Sequence, residues 1–82
     1  RRRSDAVVLK LYGREYCSLC TTMRAQLTSQ NLAVMWIDID DDPVLEERFG
    51  DLVPVLATAA GREICHYHLD QAALDAYLAD LS

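Results

Sequence analysis

The sequence predicts one α/β domain whose elements follow the order βαβ-α-ββα. Its 82 residues are enough for one small hydrophobic core and too few for two independently folded domains. Hydrophobic residues make up 51% of the chain and charged residues 26%, which is the balance of an ordinary globular protein. Short apolar runs rich in β-branched residues alternate with segments of helical spacing, and this alternation predicts the mixed class.

The first half of the chain predicts a βαβ unit. The apolar run Val7 to Tyr12 is interrupted only by Lys10, which is typical of a strand covered on both faces. A helix is expected from Cys17 to about Gln30, and the run Leu32 to Ile39 returns to strand character. Apolar side chains recur every fourth residue along the helix: Leu19, Met23 and Leu27. The two strands should be parallel, with a right-handed crossover.

The second half predicts a short helix, a hairpin and a final helix. Asp42 is placed to cap the short helix, with Pro43 at its first position. Strands are expected at Val53 to Thr58 and at Glu63 to Tyr67, and so short a connection between them requires a hairpin. Asp70 is expected to cap the last helix. The apolar positions of that helix have helical spacing: Leu74, Tyr77, Leu78 and Leu81.

Net charge excludes two classes of partner. Eight basic and thirteen acidic residues give −5, and three of the basic residues are Arg1, Arg2 and Arg3. Residues 4–82 therefore carry five basic against thirteen acidic residues, or −8. A body this acidic repels phosphate backbones and anionic membranes, so we expect neither nucleic-acid nor membrane binding. We interpret residues 1–6 as a flexible tail and residues 7–82 as the folded domain.

The hydropathy pattern and the cysteines together indicate a cellular compartment for the protein. No apolar run reaches the roughly eighteen residues that a membrane span needs. The N-terminus lacks the apolar core of a signal peptide. The three cysteines, Cys17, Cys20 and Cys65, are a poor disulfide framework because their number is odd and two of them form a tight pair. The same pattern suits redox or metal chemistry in a reducing compartment, so we expect a cytoplasmic protein.

The segment Cys17-Ser18-Leu19-Cys20 follows a predicted buried strand and opens a predicted helix. Unpaired N–H groups and the positive end of the helix dipole stabilise a thiolate at that position, which makes Cys17 the expected nucleophile. Cys20, one turn further, is placed to resolve a mixed disulfide by forming a bond with Cys17. Half of a zinc site, a pair of buried thiols and a vestigial dithiol on an adaptor are alternatives. The placement within a βαβ unit favours redox chemistry.

Three stretches resemble the small bacterial glutaredoxin-like family of the thioredoxin fold superfamily: Leu11 to Cys20, Ile37 to Asp40 and Val53 to Leu56. The resemblance covers residues 7–80. It implies a thioredoxin-like fold with a four-stranded mixed sheet of order 2-1-3-4 flanked by helices, and a thiol–disulfide oxidoreductase activity. It also implies a cis peptide before Pro54, which would place the Val53 backbone beside Cys17 as an edge for a substrate peptide or glutathione.

The resemblance also assigns the surroundings of the dithiol. Arg14 and Tyr16 are expected at the rim, and Arg14 is the basic residue able to meet a glutathione carboxylate. His66 and Asp70 are expected near the substrate, in a stretch where glutaredoxins usually carry a glycine pair followed by Asp. The side chains of residues 65–68 would block the close backbone approach that glycine allows. We therefore expect protein disulfides to be preferred to glutathione adducts.

A metal-binding alternative rests on the end of the last strand, which in this sheet order lies at the same edge as Cys17. Cys65 or His66 would then complete a zinc-binding or thiol-sensing site with Cys17 and Cys20. We favour a packed Cys65 with exposed His66 and His68, and we expect no metal. No bound cofactor is expected either. Glutathione or a flavoprotein reductase should recycle the dithiol, and we expect the protein to act as a monomer.

Overall fold

A computed structural model describes residues 8–81 and shows the predicted order of elements. In this part of the chain the strands are β1 (Val8–Gly13), β2 (Ala33–Asp38), β3 (Val55–Ala57) and β4 (Glu63–His66). The helices are α1 (Ser18–Thr28), α2 (Pro43–Phe49) and α3 (Gln71–Asp80), with a 3₁₀ turn at Ile39–Asp41. The predicted tail, residues 1–6, lies outside the described residues, as do Val7 and Ser82.

The four strands form one mixed sheet of order β2-β1-β3-β4, which confirms the predicted topology. β1 and β2 are parallel, as a βαβ unit requires, and β3 is antiparallel to β1. β4 is antiparallel to β3 and therefore runs in the same direction as β1. The C-terminal ends of β1 and β4 thus lie at the same edge of the sheet, and α1 begins just beyond that edge.

Side chains alternate between the two faces of the sheet and build two separate cores. One face packs against α1 and α3, and its buried residues are Leu9, Leu11, Met23, Leu27, Leu56, Cys65 and Leu74. The other face packs against α2, and its buried residues are Tyr12, Ile39, Phe49, Val55 and Ala57. Truncating a fully buried leucine of the first core to alanine should cost about 2–5 kcal/mol.

Carboxylate caps define the starts of both later helices, as the sequence predicts. The Asp42 side chain accepts a hydrogen bond of 2.9 Å from the Val44 backbone N–H, and Pro43 occupies the first turn of α2. The Asp70 side chain accepts one of 3.0 Å from the Ala73 N–H and opens α3. Within residues 8–81 no helix has the length and hydropathy needed to cross a membrane.

Strands β2, β3 and β4 are each shorter than the strand that the sequence predicts. β2 stops at Asp38, whose carboxylate accepts a 2.9 Å hydrogen bond from the Asp40 N–H and starts the 3₁₀ turn. The expected strand at 53–58 is reduced to β3 and begins only after Pro54, because proline has no N–H to donate to a ladder. β4 stops at His66 because Tyr67 takes a left-handed conformation with φ 65°.

Candidate active site

The two cysteines of the dithiol occupy different environments at the start of α1. Cys17 is the N-cap residue with extended backbone, and its sulfur accepts a 3.2 Å hydrogen bond from the Cys20 N–H. Cys17 is partly exposed, whereas Cys20 is fully buried. All three cysteines are free thiols. The sulfur of Cys17 therefore lies at the N-terminus of α1, where it accepts a backbone hydrogen bond, while Cys20 is protected from solvent.

Cys20 is held in its protonated form by its surroundings. Burial raises the pKa of its thiol from an ordinary 9.0 to about 11, and the hydrogen bond with Cys17 acts in the same direction. A backbone hydrogen bond from Arg14 opposes the rise without cancelling it. Cys20 is thus a neutral thiol at physiological pH, poised one helical turn from the exposed sulfur.

Gly13 ends β1 at a point that both Trp36 and Cys20 approach closely. A Cβ at this position would lie 2.6 Å from Cη2 of Trp36 and 3.0 Å from the Cys20 sulfur. The Arg24 guanidinium lies over the Trp36 ring, 4.5 Å from its centroid. The sequence interpretation missed this role of Gly13. The signal was a glycine at the end of an apolar strand immediately before the cysteine motif.

Arg14 is paired within the protein. Its guanidinium forms an ion pair and hydrogen bond with the Glu46 carboxylate on α2, and its Nε lies 3.7 Å from Oδ1 of Asp40. Partial burial acts to lower the pKa of Arg14, but the Glu46 hydrogen bond and the Asp40 charge outweigh it and leave the pKa raised. A glutathione carboxylate would have to compete with two carboxylates for this cation. Arg14, which the sequence predicts at the rim of the site, thus connects the loop between β1 and α1 to α2.

The Val53–Pro54 peptide bond is cis, as the family resemblance implies. Tyr67 bridges the loop that contains it. The Tyr67 N–H donates to the Pro54 carbonyl at 2.9 Å, and its phenol donates to the Asp51 carbonyl at 2.8 Å. The left-handed conformation at Tyr67 is one that residues other than glycine and asparagine rarely adopt. Its sequence signal was hidden, because Tyr67 follows an apolar strand and resembles its continuation.

The remaining predicted rim residues are spread around this centre. Tyr16, next to Cys17, is fully exposed. His66 is exposed, and its Nδ1 lies 2.7 Å from Oε2 of Glu63. Asp70 serves as the α3 cap. His66 pairs with Val55 in the sheet and so belongs to the face that packs against α2, away from α1.

Cys65 lies on the face opposite that of His66. It pairs with Leu56 in the sheet and is buried in the core formed with α1 and α3, and this burial raises its thiol pKa. Within residues 8–81, no group of three or more His, Cys, Asp or Glu side chains is arranged to hold a metal ion. The donor set required by the zinc-module alternative is therefore not assembled in the described part of the chain.

Comparison with known proteins agrees with this geometry. A family model described as a glutaredoxin-like domain (DUF836) matches residues 8–79. The chain belongs to this glutaredoxin-like family. No curated protein matches it.

Two solved structures from bacteria are similar to the glutaredoxin-like chain over nearly its whole length. Protein Ne2328 from Nitrosomonas europaea is 35% identical with a TM-score of 0.80, and the match covers 94% of this chain and 96% of that one. Protein XcR50 from X. campestris is 37% identical with a TM-score of 0.73, covering 88% and 96%. Thioredoxin 1 from Thermosipho africanus, at 15% identity and TM-score 0.56 over 88% and 94%, shares the fold. The predicted family and fold are both confirmed, and a Cys17-x-x-Cys20 pair in this fold suits redox chemistry.

Proposed function

We propose that this glutaredoxin-like protein is a thiol–disulfide oxidoreductase that acts on disulfides of other proteins. The observation that carries the proposal is the asymmetry of the dithiol. Cys17 presents a partly exposed sulfur at the N-terminus of α1, and Cys20 lies fully buried one turn below with its N–H donated to that sulfur. This arrangement provides one nucleophile and one resolving thiol.

The reaction divides into two exchanges. The Cys17 thiolate attacks one sulfur of the substrate disulfide, the substrate S–S bond breaks, and the leaving thiolate takes a proton from solvent. Cys20 then loses its proton to solvent and attacks the Cys17 sulfur, which forms the Cys17–Cys20 disulfide and releases the second substrate thiolate to be protonated. Two electrons pass from the dithiol to the substrate.

The environment of Cys20 suits the order of these steps. The hydrogen bond with Cys17 and the charge of Cys17 are two of the causes that raise the Cys20 pKa. Both disappear when Cys17 is bound to the substrate. The Cys20 pKa therefore falls in the mixed disulfide, which is the state in which Cys20 must ionise and attack.

Three features support protein disulfides over glutathione adducts. Arg14 is already paired with Glu46 and Asp40. Tyr67 fills, with a large side chain, the stretch where glutaredoxins usually carry glycine. Residues 4–82 carry a net negative charge, since they include five basic and thirteen acidic residues. Glutathione carries two carboxylates, which this surface disfavours.

The proposal includes an external source of electrons. No bound cofactor takes part in the two exchanges, so the Cys17–Cys20 disulfide is re-reduced by a second thiol system, either glutathione or a flavoprotein reductase. Both operate in a reducing compartment, which is why we place the reaction in the cytoplasm, with the monomer as the active species.

The experiment measures reduction of insulin disulfides with dithiothreitol as the terminal reductant. We expect the wild-type protein to accelerate the reaction and Cys17→Ser to abolish the acceleration. Cys65→Ser is the matched control, because it removes a buried thiol away from the dithiol and should keep the activity. Equal rates for wild type and Cys17→Ser, or equal losses for Cys17→Ser and Cys65→Ser, would overturn the assignment.

A further inference from the structure

The Cys20 sulfur is enclosed, although it belongs to a reactive pair. Cys20 is 0% exposed, whereas Cys17 is partly exposed. A side chain on residue 13 would begin 2.6 Å and 2.9 Å from Cη2 and Cζ3 of Trp36, and 3.0 Å from the Cys20 sulfur. One small space at the end of β1 is thus bounded by Gly13, the indole ring and the resolving sulfur.

The same indole ring also reaches the surface of the protein. Trp36 lines a pocket of about 160 Å³, whose other walls are polar side chains of the loop after β1 and of α1: Arg14, Glu15, Thr21 and Arg24. A polar space of this size has room for water. The lining does not include Cys20. The indole therefore borders a water-accessible pocket as well as the space next to the resolving sulfur.

Contacts with α1 and with the core favour this position of the indole. The Arg24 guanidinium on α1 lies 4.5 Å from the ring centroid, where a cation is attracted to the ring face. Trp36 also packs against the core that the sheet forms with α1 and α3. Burial is the largest cause of the raised thiol pKa of Cys20, so a group that excludes water from this sulfur also keeps it protonated. Cys17 and Arg14 are the charged groups that act on the same thiol.

We propose that Trp36 is a positioning residue that closes the Cys20 sulfur to water and to external disulfides, so that Cys20 reacts with Cys17 alone. The proposal rests on the proposed function, in which Cys17 attacks first and Cys20 second. An accessible Cys20 thiolate would itself attack a substrate disulfide: the substrate S–S bond would break, a Cys20–substrate disulfide would form, and the leaving thiolate would take a proton from solvent. The indole excludes this reaction and leaves Cys20 for the intramolecular step.

Alkylation in the Cys17→Ser background tests the enclosure without any redox step. Cys20 and Cys65 are then the two thiols, and both are buried, so Cys65 reports any general loosening of the fold. Mass spectrometry follows the reaction of each thiol with iodoacetamide in the native protein at pH 9. We expect Trp36→Leu to raise the ratio of the Cys20 rate to the Cys65 rate by about tenfold or more, because a local opening exposes only Cys20. Val34→Ala, on the same strand and against the same core, is the matched control and should leave the ratio unchanged.

Two further variants separate this role from a merely structural one. Adding Gly13→Ala to Trp36→Leu places a methyl group in the space that the ring vacates, and it should slow the alkylation of Cys20 again. Trp36→Phe keeps a ring without the two atoms nearest Gly13 and should give a smaller increase, and it takes the place of Trp36→Leu if that protein does not fold. The pH midpoint of Cys20 alkylation should fall when the indole is removed, because water then solvates the thiolate.

An external disulfide is tested last, again in the Cys17→Ser background, with bis(2-hydroxyethyl) disulfide as the probe. Trp36→Leu should allow a mixed disulfide between Cys20 and 2-mercaptoethanol, which the parent protein should not form. An unchanged ratio of Cys20 to Cys65 alkylation in the Trp36 variants, or an equal change in Val34→Ala, would overturn the proposal. A Trp36 effect on Cys20 in a protein that does not reduce insulin disulfides would instead keep the enclosure and reject the oxidoreductase.

Discussion

The indole ring of Trp36 and the sulfur of Cys20 both border the position that a side chain of residue 13 would occupy, at the end of β1. Gly13 pairs with Asp38, two residues after Trp36 on β2, and its lack of a side chain leaves room for the ring and the sulfur. The resolving thiol and the one tryptophan of the chain thus border the same space, which the missing side chain of residue 13 leaves open. The space at Gly13 therefore links the surroundings of the resolving thiol to the packing of the sheet.

Gly13→Ala should destabilise the protein by about 1–3 kcal/mol, because its Cβ would lie under 3 Å from the Trp36 ring and must displace it. Urea unfolding followed by circular dichroism measures this change. Trp36→Leu removes the ring atoms that the Cβ meets. In that background Gly13→Ala should cost clearly less, and an equal cost in both backgrounds would contradict the contact.

Alkylation should distinguish the three cysteines. Iodoacetamide applied to the reduced native protein at pH 8 should modify Cys17 alone, because Cys20 is 0% exposed and Cys65 is 8% exposed. Mass spectrometry of the peptides identifies the modified residue. The same treatment in urea should label all three. Faster reaction of Cys20 than of Cys17 in the native protein would reverse the assigned roles.

The free energy of unfolding should decrease at high pH because the Cys20 thiol then loses its proton. The folded protein holds this proton more tightly than the unfolded chain, since the pKa rises from 9.0 to about 11 on folding. The stabilisation is complete below pH 9 and is lost as pH rises through about 11. Its upper limit is about 3 kcal/mol, from two pKa units at ~1.4 kcal/mol each.

The measurement is the free energy of unfolding in urea between pH 7 and pH 11 with reductant present. Cys20→Ser removes the titrating group and should flatten the decline, whereas the control Cys65→Ser should keep most of it. A Cys20→Ser protein with the same decline as wild type would show that Cys20 is not the group responsible.

Cys20→Ser should trap the first covalent intermediate. Without the resolving thiol, Cys17 can attack a protein disulfide and form the mixed disulfide, but no intramolecular step releases the substrate. Non-reducing electrophoresis should show a linked species that reductant dissolves and that Cys17→Ser does not form. Turnover on protein disulfides should be lost. If Cys20→Ser keeps full activity on glutathionylated substrates, and wild type prefers those, a monothiol glutaredoxin mechanism replaces the one proposed.

The order of elements and the helix starts were predictable because they depend on neighbouring residues. Strand alternation, helical spacing and carboxylates at Asp42 and Asp70 act within a few positions of the chain, and the structure confirms them. The dithiol was predictable for the same reason, since Cys17 and Cys20 share one helical turn. The cis peptide before Pro54 followed from the family resemblance.

The partners of Arg14, the closeness of Trp36 and Cys20 to Gly13 and the bridge from Tyr67 to Asp51 depended on the tertiary structure. In each case the residues are far apart in the sequence, and they come together only after the sheet and helices have packed. Neither residue of such a pair carries a local signal, because an exposed arginine, a core tryptophan and a strand-end tyrosine are each common. Short-range hydrogen bonds and periodicity therefore determined the elements, and long-range packing determined what surrounds the reactive sulfur.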